Sequence, residues 1–175
     1  MLSRRRGRSP LQRSAILGLP VILAPAGRRL GQACDLALSP AGGAVLGVVV
    51  EGGWPRSRRI LDRRAVAGWG PDALVAAAEQ WLAPEAGLPA AALAGKPVLA
   101  PPGRELGQLD DLEFDPASGT LTAVGLSAGL VADLLHGKSR LASGLRLGEA
   151  VLWAEPAAEP AVTGHEARGA EIELS

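Results

Sequence analysis

Five arginines fall within nine residues, at Arg56, Arg58, Arg59, Arg63 and Arg64, and Trp54 stands just before them. A guanidinium pairs bidentately with phosphate or carboxylate, and an indole offers a face on which a base can stack. These six residues are therefore the candidate partner-binding set. A protein partner comes first, and RNA or an anionic membrane surface are the alternatives. The plainer reading is a solvated arginine-rich loop. A third is internal, with the acidic second half or the acidic C-terminal stretch neutralising the arginines. Arg4, Arg5, Arg6 and Arg8 form a second basic cluster, whereas the matching stretch of the second half keeps only Lys138, Arg140 and Arg146.

The remaining reactive side chains point away from catalysis. His136 and His165 are the only histidines and Cys34 the only cysteine, which is too few ligands for a zinc site and suggests no Ser/His/Asp or Cys/His arrangement. Cys34 alternates with Leu36 and Leu38, as a buried and inert thiol would. The acidic run Asp110-Asp111-Leu112-Glu113-Phe114-Asp115 lacks the spacing of a hard-cation loop. On a strand, Asp111 and Glu113 would lie on the face opposite Leu112 and Phe114. Asp35 and Asp111 stand at matching places in two similar segments, which suggests a structural task such as bonding a turn's N–H groups. The segments GRRLGQ and GRELGQ lack the phosphate-loop pattern. No catalytic residue, metal, cofactor or small-molecule substrate is expected, and the chain reads as a non-enzyme.

The bulk composition says what kind of scaffold carries these groups. The chain has 175 residues, 47% hydrophobic and 21% charged, enough to bury a core. Its 23 Gly and 14 Pro suit short strands and tight turns better than long helices. One cysteine allows no internal disulfide, no run of about 18 apolar residues spans a membrane, and the basic N-terminus makes a poor signal peptide. A cytoplasmic protein, peripheral at a membrane if it meets one at all, is the expectation. The formal net charge is zero, but residues 1–88 hold 12 basic and 6 acidic side chains and residues 89–175 hold 6 and 12.

An internal repeat organises the chain. VILAPAGRRLGQACDLALSPAGGAVLGV (21–48) and PVLAPPGRELGQLDDLEFDPASGTLTAV (97–124) match at 14 of 28 positions with an offset of 76. Ala24–Gly27 and Ala100–Gly103 read as type II turns. A long strand follows each, with Leu30, Cys34, Leu36 and Leu38 on the buried face of the first, and Leu106, Leu112 and Phe114 on that of the second. Gly31 and Gly107 sit inside these strands, where glycine marks a bulge or bend. Ser39–Gly43 and Asp115–Gly119 read as hairpin turns. Near their ends the copies realign at an offset of 77. A short strand is expected near Leu74–Ala76, with any helix of ALVAAAEQWLA beginning after it, and GEAVLWA reads as a closing strand. Copy one is thus assigned to residues 15–78, an Ala/Pro/Gly-rich linker to 79–92, copy two to 93–154, and an acidic disordered tail to 155–175.

The pattern G-x-P-V … G-R-x-L-G-Q-x-x-D-L … D-P-x-S-G-x-L resembles the PRC-barrel superfamily. That fold occurs in the cytoplasmic part of the heavy subunit of the photosynthetic reaction centre and at the C-terminal end of a ribosome-maturation factor. Copy two carries the resemblance through Gly95, Lys96, Pro97, Val98, Gly103, Leu106, Gly107, Asp111, Leu112, Asp115, Pro116 and Gly119. Copy one carries it through Gly18, Pro20, Val21, Gly27, Leu30, Gly31, Asp35 and Leu36. The resemblance implies an all-β protein of two small PRC-type β-barrels in tandem, about six strands each; the short helix near the linker is read separately, from Pro71 and Asp72 before ALVAAAEQWLA. It also implies a docking or assembly module, an adaptor that binds bivalently or packs its two barrels together as a pseudo-dimer. A ribosome- or RNA-associated factor, an assembly protein at a membrane or photosynthetic complex, and a homo-oligomer are the other readings it leaves open. The shared motifs are turn and core residues, specific for fold and nearly silent on function.

Overall fold

A computed structural model describes residues 9–53, 55–127, 139–141, 145–147 and 152–154. The fold is all-β, with short helical turns between strands. The chain enters through β1 (Leu11–Gln12) and one helical turn, α1 (Arg13–Ile16). Copy one then supplies β2 (Pro20–Leu23), β3 (Arg28–Leu38), β4 (Val45–Gly52), β5 (Ser57–Asp62), β6 (Val66–Trp69), β7 (Leu74–Ala76) and β8 (Trp81–Leu82). After β9 (Leu88–Pro89), copy two supplies β10 (Pro97–Ala100), β11 (Arg104–Phe114), β12 (Leu121–Ser127), β13 (Ser139–Leu141), β14 (Leu145–Leu147) and β15 (Leu152–Ala154). The two sheets run β6-β7-β2-β3-β4-β5-β8 and β13-β12-β11-β10-β15-β14. Both are curled, and among the described residues both hydrogen-bonded paths are open, which does not support the two closed barrels that the resemblance implies.

The repeat is carried by matching registers. Val21 pairs with Gly31 and Leu74, and Val98 pairs with Gly107 and Leu152. All four apolar members of these pairs are fully buried. The equivalence Leu74–Leu152 shifts the end of the repeat by one position from the expected offset of 77. A second one-residue shift lies at the first turn. Before it Pro20 and Pro97 correspond, and after it Arg28 and Arg104 do, so the ungapped alignment misplaces residues 21–23. The turns themselves are not type II. In copy one a 3-10 turn over Ala24–Ala26 ends on Gly27 at φ 59°, and in copy two the Pro101–Pro102 peptide is cis.

A bulge in each long strand changes which residues face the core. Pairing slips between Ala33 and Asp35, and between Leu109 and Asp111. The period-2 alternation therefore jumps one residue, and Ala33 and Leu109 turn inward. Cys34 is left half-buried on the bulge instead of in the core, and Asp110 takes the same place in copy two. Gly31 is needed because β3 and β4 approach so closely that a Cβ there would meet the Glu51 carbonyl at 2.4 Å.

The segment between the copies is part of both. β9 adds to β3 through Ala37↔Pro89 and Leu38↔Leu88, and a 3-10 turn over Ala90–Leu93 buries Ala90 and Leu93. The residues expected as a linker (79–92) thus hold two strands and most of this turn. No helix follows Leu74–Ala76, because Trp81 and Leu82 pair with Leu61 and Ile60. β1 and α1 mirror β9 and its turn: Leu11 pairs with Phe114 and Gln12 with Glu113 of copy two. Each copy's lead-in therefore completes the other copy's long strand.

The same reciprocity holds at the hairpins. Ala44 bridges Thr120, the Val45 amide donates to the Gly119 carbonyl (2.7 Å), and the Leu121 amide donates to the Gly43 carbonyl (3.0 Å). Contacts in which i meets j and the equivalent of j meets the equivalent of i define an isologous interface. One buried cluster spans it, from Ile16, Leu36 and Val48 to Leu112, Phe114 and Val124. Trp69 of copy one meets Phe114 edge-on, with ring centres 5.4 Å apart and planes at 73°.

Candidate docking surface

The arginine stretch becomes β5 and the turn after it, and a strand sends alternate side chains to opposite faces. Arg58 and Arg59 are thereby separated. Arg59 pairs in register with Val50 and lies over the Trp81 ring, with its guanidinium carbon 3.8 Å from the ring centre. This places it beside Arg28 and Arg29, at the start of β3. The three guanidiniums and Trp81 border a shallow cavity of about 250 Å³, floored by Leu30, Val50, Ser57, Gly52 and Gly53. Arg28 pairs with Glu79. Arg29 reaches only the Gly31 carbonyl, at 3.4 Å. Among the described residues neither Arg29 nor Arg59 has a carboxylate partner. A guanidinium held over an indole loses little freedom on pairing with an anion.

The other candidates scatter. Arg58 points to the opposite face, 3.9 Å from Glu51, at a cavity of about 250 Å³ with Asp35, Val49, Ile60 and Pro89. Arg63 is used within the chain: its Nη1 donates to the carbonyls of Pro116 (3.2 Å) and Ala117 (2.6 Å) in copy two. Asp62, nearly buried, accepts from the Arg64 amide at 2.8 Å and so shapes the turn that aims Arg63 across the interface. Arg64 and Arg56 are exposed. Trp54 lies outside the described residues, as do Arg4, Arg5, Arg6, Arg8, His136, His165 and the acidic tail. Five nearby arginines in sequence thus serve at least three different places. The cluster that forms instead draws on Arg28, Arg29 and Trp81. Sequence reasoning puts Trp81 in a helical or linker segment; the one signal for its strand is an aromatic next to Leu82.

The acidic residues are structural. Asp35 takes the Ala91 amide at 2.9 Å and the Arg13 Nε at 2.7 Å. At the equivalent place, Asp111 takes the Ser14 amide (3.2 Å), the Ser14 hydroxyl (2.5 Å) and its neighbour Leu112's amide (2.8 Å). Each aspartate thus caps the helical turn that leads into the other copy. Glu113 is not on a solvated face but is 7% exposed, and accepts from the Thr122 hydroxyl at 3.2 Å. Alternation does place it opposite Leu112, beside Asp111; what covers it is β1, whose Gln12 pairs with it. Asp115 holds its hairpin by accepting from Ala117 and Ser118. These bonds, the Ala117 amide first, keep its carboxyl below the usual range. Burial pushes the Cys34 thiol up, away from reactivity. A larger cavity of about 530 Å³, at the copy interface, is lined by Gln12, Arg13, Ser14, Asp111 and Glu113. Among the described residues, no three His, Cys, Asp or Glu side chains are grouped to hold a metal ion, and no helix is long and apolar enough to cross a membrane.

No protein-family model matches the chain, and no curated protein matches it.

Proposed function

We propose that the chain is a non-enzymatic binding module of two PRC-type units, docking an acidic protein partner through the Arg28–Arg29–Arg59–Trp81 face of copy one. Arg59 stacked on Trp81 without an opposing carboxylate carries this reading. The PRC assignment is supported by the residues that bear the resemblance, since Val21 and Val98 line the core and Gly31 and Gly107 permit the close strand crossings. An adaptor role fits a surface on which Arg59 is held over Trp81 and neither Arg29 nor Arg59 has a carboxylate partner among the described residues.

Binding is one-sided in this reading, not bivalent. Copy two places Arg104 and Glu105 where copy one has Arg28 and Arg29, and Ser139 takes the register position of Arg59. Quantitative co-purification from native lysate tests the proposal. The double reversal Arg29→Glu/Arg59→Glu should lose the partner at least tenfold, while Arg104→Glu should keep it. Capture of every partner by the double reversal would remove this face from consideration. Loss of capture on nuclease treatment would redirect the reading to RNA, and flotation with anionic vesicles would redirect it to a membrane surface.

A further inference from the structure

We infer that the Arg28–Arg29–Arg59 cavity of copy one seats a phosphate monoester, carried by the protein partner as a phosphorylated side chain. The inference rests on the docking reading above and names the group recognised there. Exposure alone does not single out this place, since Arg56, Arg64 and Arg104 are exposed as well. Convergence does. Arg28, Arg29 and Arg59 line one concavity together with Ser57 and Trp81. The backbone holds them there. β3 crosses β4 so closely that a Cβ on Gly52 would meet the Leu30 carbonyl at 2.5 Å, and this crossing brings the start of β3 beside Arg59 of β5.

A second observation is independent of charge. The Trp81 indole Nε1 is shielded from solvent and has no hydrogen-bond partner among the described residues. A buried donor is costly until it finds an acceptor. The same ring carries the Arg59 guanidinium, 3.8 Å from its centre. An oxyanion held by Arg59 supplies the acceptor that the indole N–H lacks. Charge then selects among oxyanions. Three guanidiniums against the single carboxylate of Glu79 leave the site at +2. A phosphate monoester carries about −1.5 to −2 at neutral pH and presents three acceptor oxygens. A carboxylate or a phosphodiester brings a charge of only about −1. Arg29 and Arg59 each offer a fork of N–H donors that matches phosphate geometry. Size agrees. At about 250 Å³ the cavity lies below the roughly 300–1,000 Å³ of small-molecule sites, and it takes a single side chain.

Titration of the full chain, followed by nuclear magnetic resonance, tests this. The probe is phosphoserine blocked at both ends, with acetate and dimethyl phosphate as the carboxylate and diester comparators. Phosphoserine should move the Trp81 indole signal (the one lost in Trp81→Phe) and the Gly53 amide. It should bind about tenfold tighter than either comparator. Arg29→Gln/Arg59→Gln should weaken it by about tenfold or more, read at Gly53, and Arg104→Gln should leave it unchanged. Trp81→Phe keeps a ring beneath Arg59 but removes the N–H, and should weaken binding about tenfold. In native lysate, phosphatase treatment should abolish partner capture. An indole signal that stays still, or acetate binding as tightly as phosphoserine, would overturn the inference. If the titration is silent while Arg29→Glu/Arg59→Glu still loses the partner, the docking reading stands and the phosphate monoester falls. If phosphoserine binds but capture survives both the double reversal and phosphatase, the docking reading falls, and with it the partner as the source of the phosphate.

Discussion

Copy one and copy two share their hairpins, their bulges and their caps, yet they have diverged in charge and in the size of several core residues, Ala33 against Leu109 and Leu38 against Phe114 among them. Where copy one has Arg28, Arg29 and Arg59 around Trp81, copy two has Arg104, Glu105 and Ser139 in register, and no described strand equivalent to β8. Where copy one places Leu38 against Leu88, copy two places Phe114 against Leu11. The shared residues build the isologous interface, which tolerates little change because each copy closes the other. Residues that the interface does not use are free to differ, and the candidate surface lies among them.

The largest expected effect tests whether the two copies have one core. Phe114→Ala should cost about 3–5 kcal/mol, and more than Leu38→Ala, because Phe114 alone meets Trp69 edge-on. Urea unfolding followed by tryptophan fluorescence and by circular dichroism should show a single shifted transition for either variant. Two transitions, only one of which moves, would mean that the copies fold independently.

Next in size are the two strand glycines. Gly31→Ala should cost about 2–3 kcal/mol, and Gly107→Ala about 1 kcal/mol less. The added Cβ would lie 2.4 Å from the Glu51 carbonyl oxygen in the first case and 2.9 Å from that of Ser127 in the second. Denaturation midpoints that rank the other way would refute the tighter crossing of β3 and β4.

The caps should follow. Asp35→Ala removes two bonds, one from the Arg13 guanidinium, and should cost about 2 kcal/mol. Asp111→Ala removes a cap of the helical turn at Ser14 and should cost about 1 kcal/mol. In hydrogen exchange, Asp35→Ala should loosen residues 88–93 and Asp111→Ala should loosen residues 11–16. Loosening confined to the mutated strand would argue against the exchanged lead-ins.

The smallest effect concerns the hairpins. The Asp115 carboxyl titrates lower when folded, so its contribution is present above the unfolded pKa and is lost as pH falls through the folded one. Asp115→Ala should flatten the acid limb of the stability curve, whereas Ser39→Ala at the matching hairpin should leave that limb unchanged. Parallel acid limbs in the wild type and Asp115→Ala would show that the bonds to Ala117 and Ser118 do not persist in solution.

Much of the fold is legible in the residues because turns and close crossings demand particular types. The Ser39–Gly43 and Asp115–Gly119 hairpins, the β-rich class, the strand at Leu74–Ala76 and the structural use of Asp35 and Asp111 all follow from residue type and place. Alternation misplaces Cys34, because a bulge moves it by one residue without leaving a mark in the pattern, and it gives the face of Glu113 but not the β1 strand that covers it. The arginine stretch is legible as a feature but not as a site. Strand alternation sends Arg58 and Arg59 apart, and Arg63 is drawn across to the carbonyls of copy two.

That one β unit occurs twice, where each copy turns, and how unevenly charge divides between the halves are all written in the order of the residues. Those properties are local: a proline, a glycine or a run of alternating residues reports its own backbone and exposure. The exchange of the lead-ins, the capping of each copy's entry by Asp35 and Asp111, and the meeting of Arg59 with Trp81 between Arg28 and Arg29 emerge once the chain is folded. A buried face is encoded in its own residues, but what covers it depends on partners up to about a hundred positions away, as with Ser14 and Asp111.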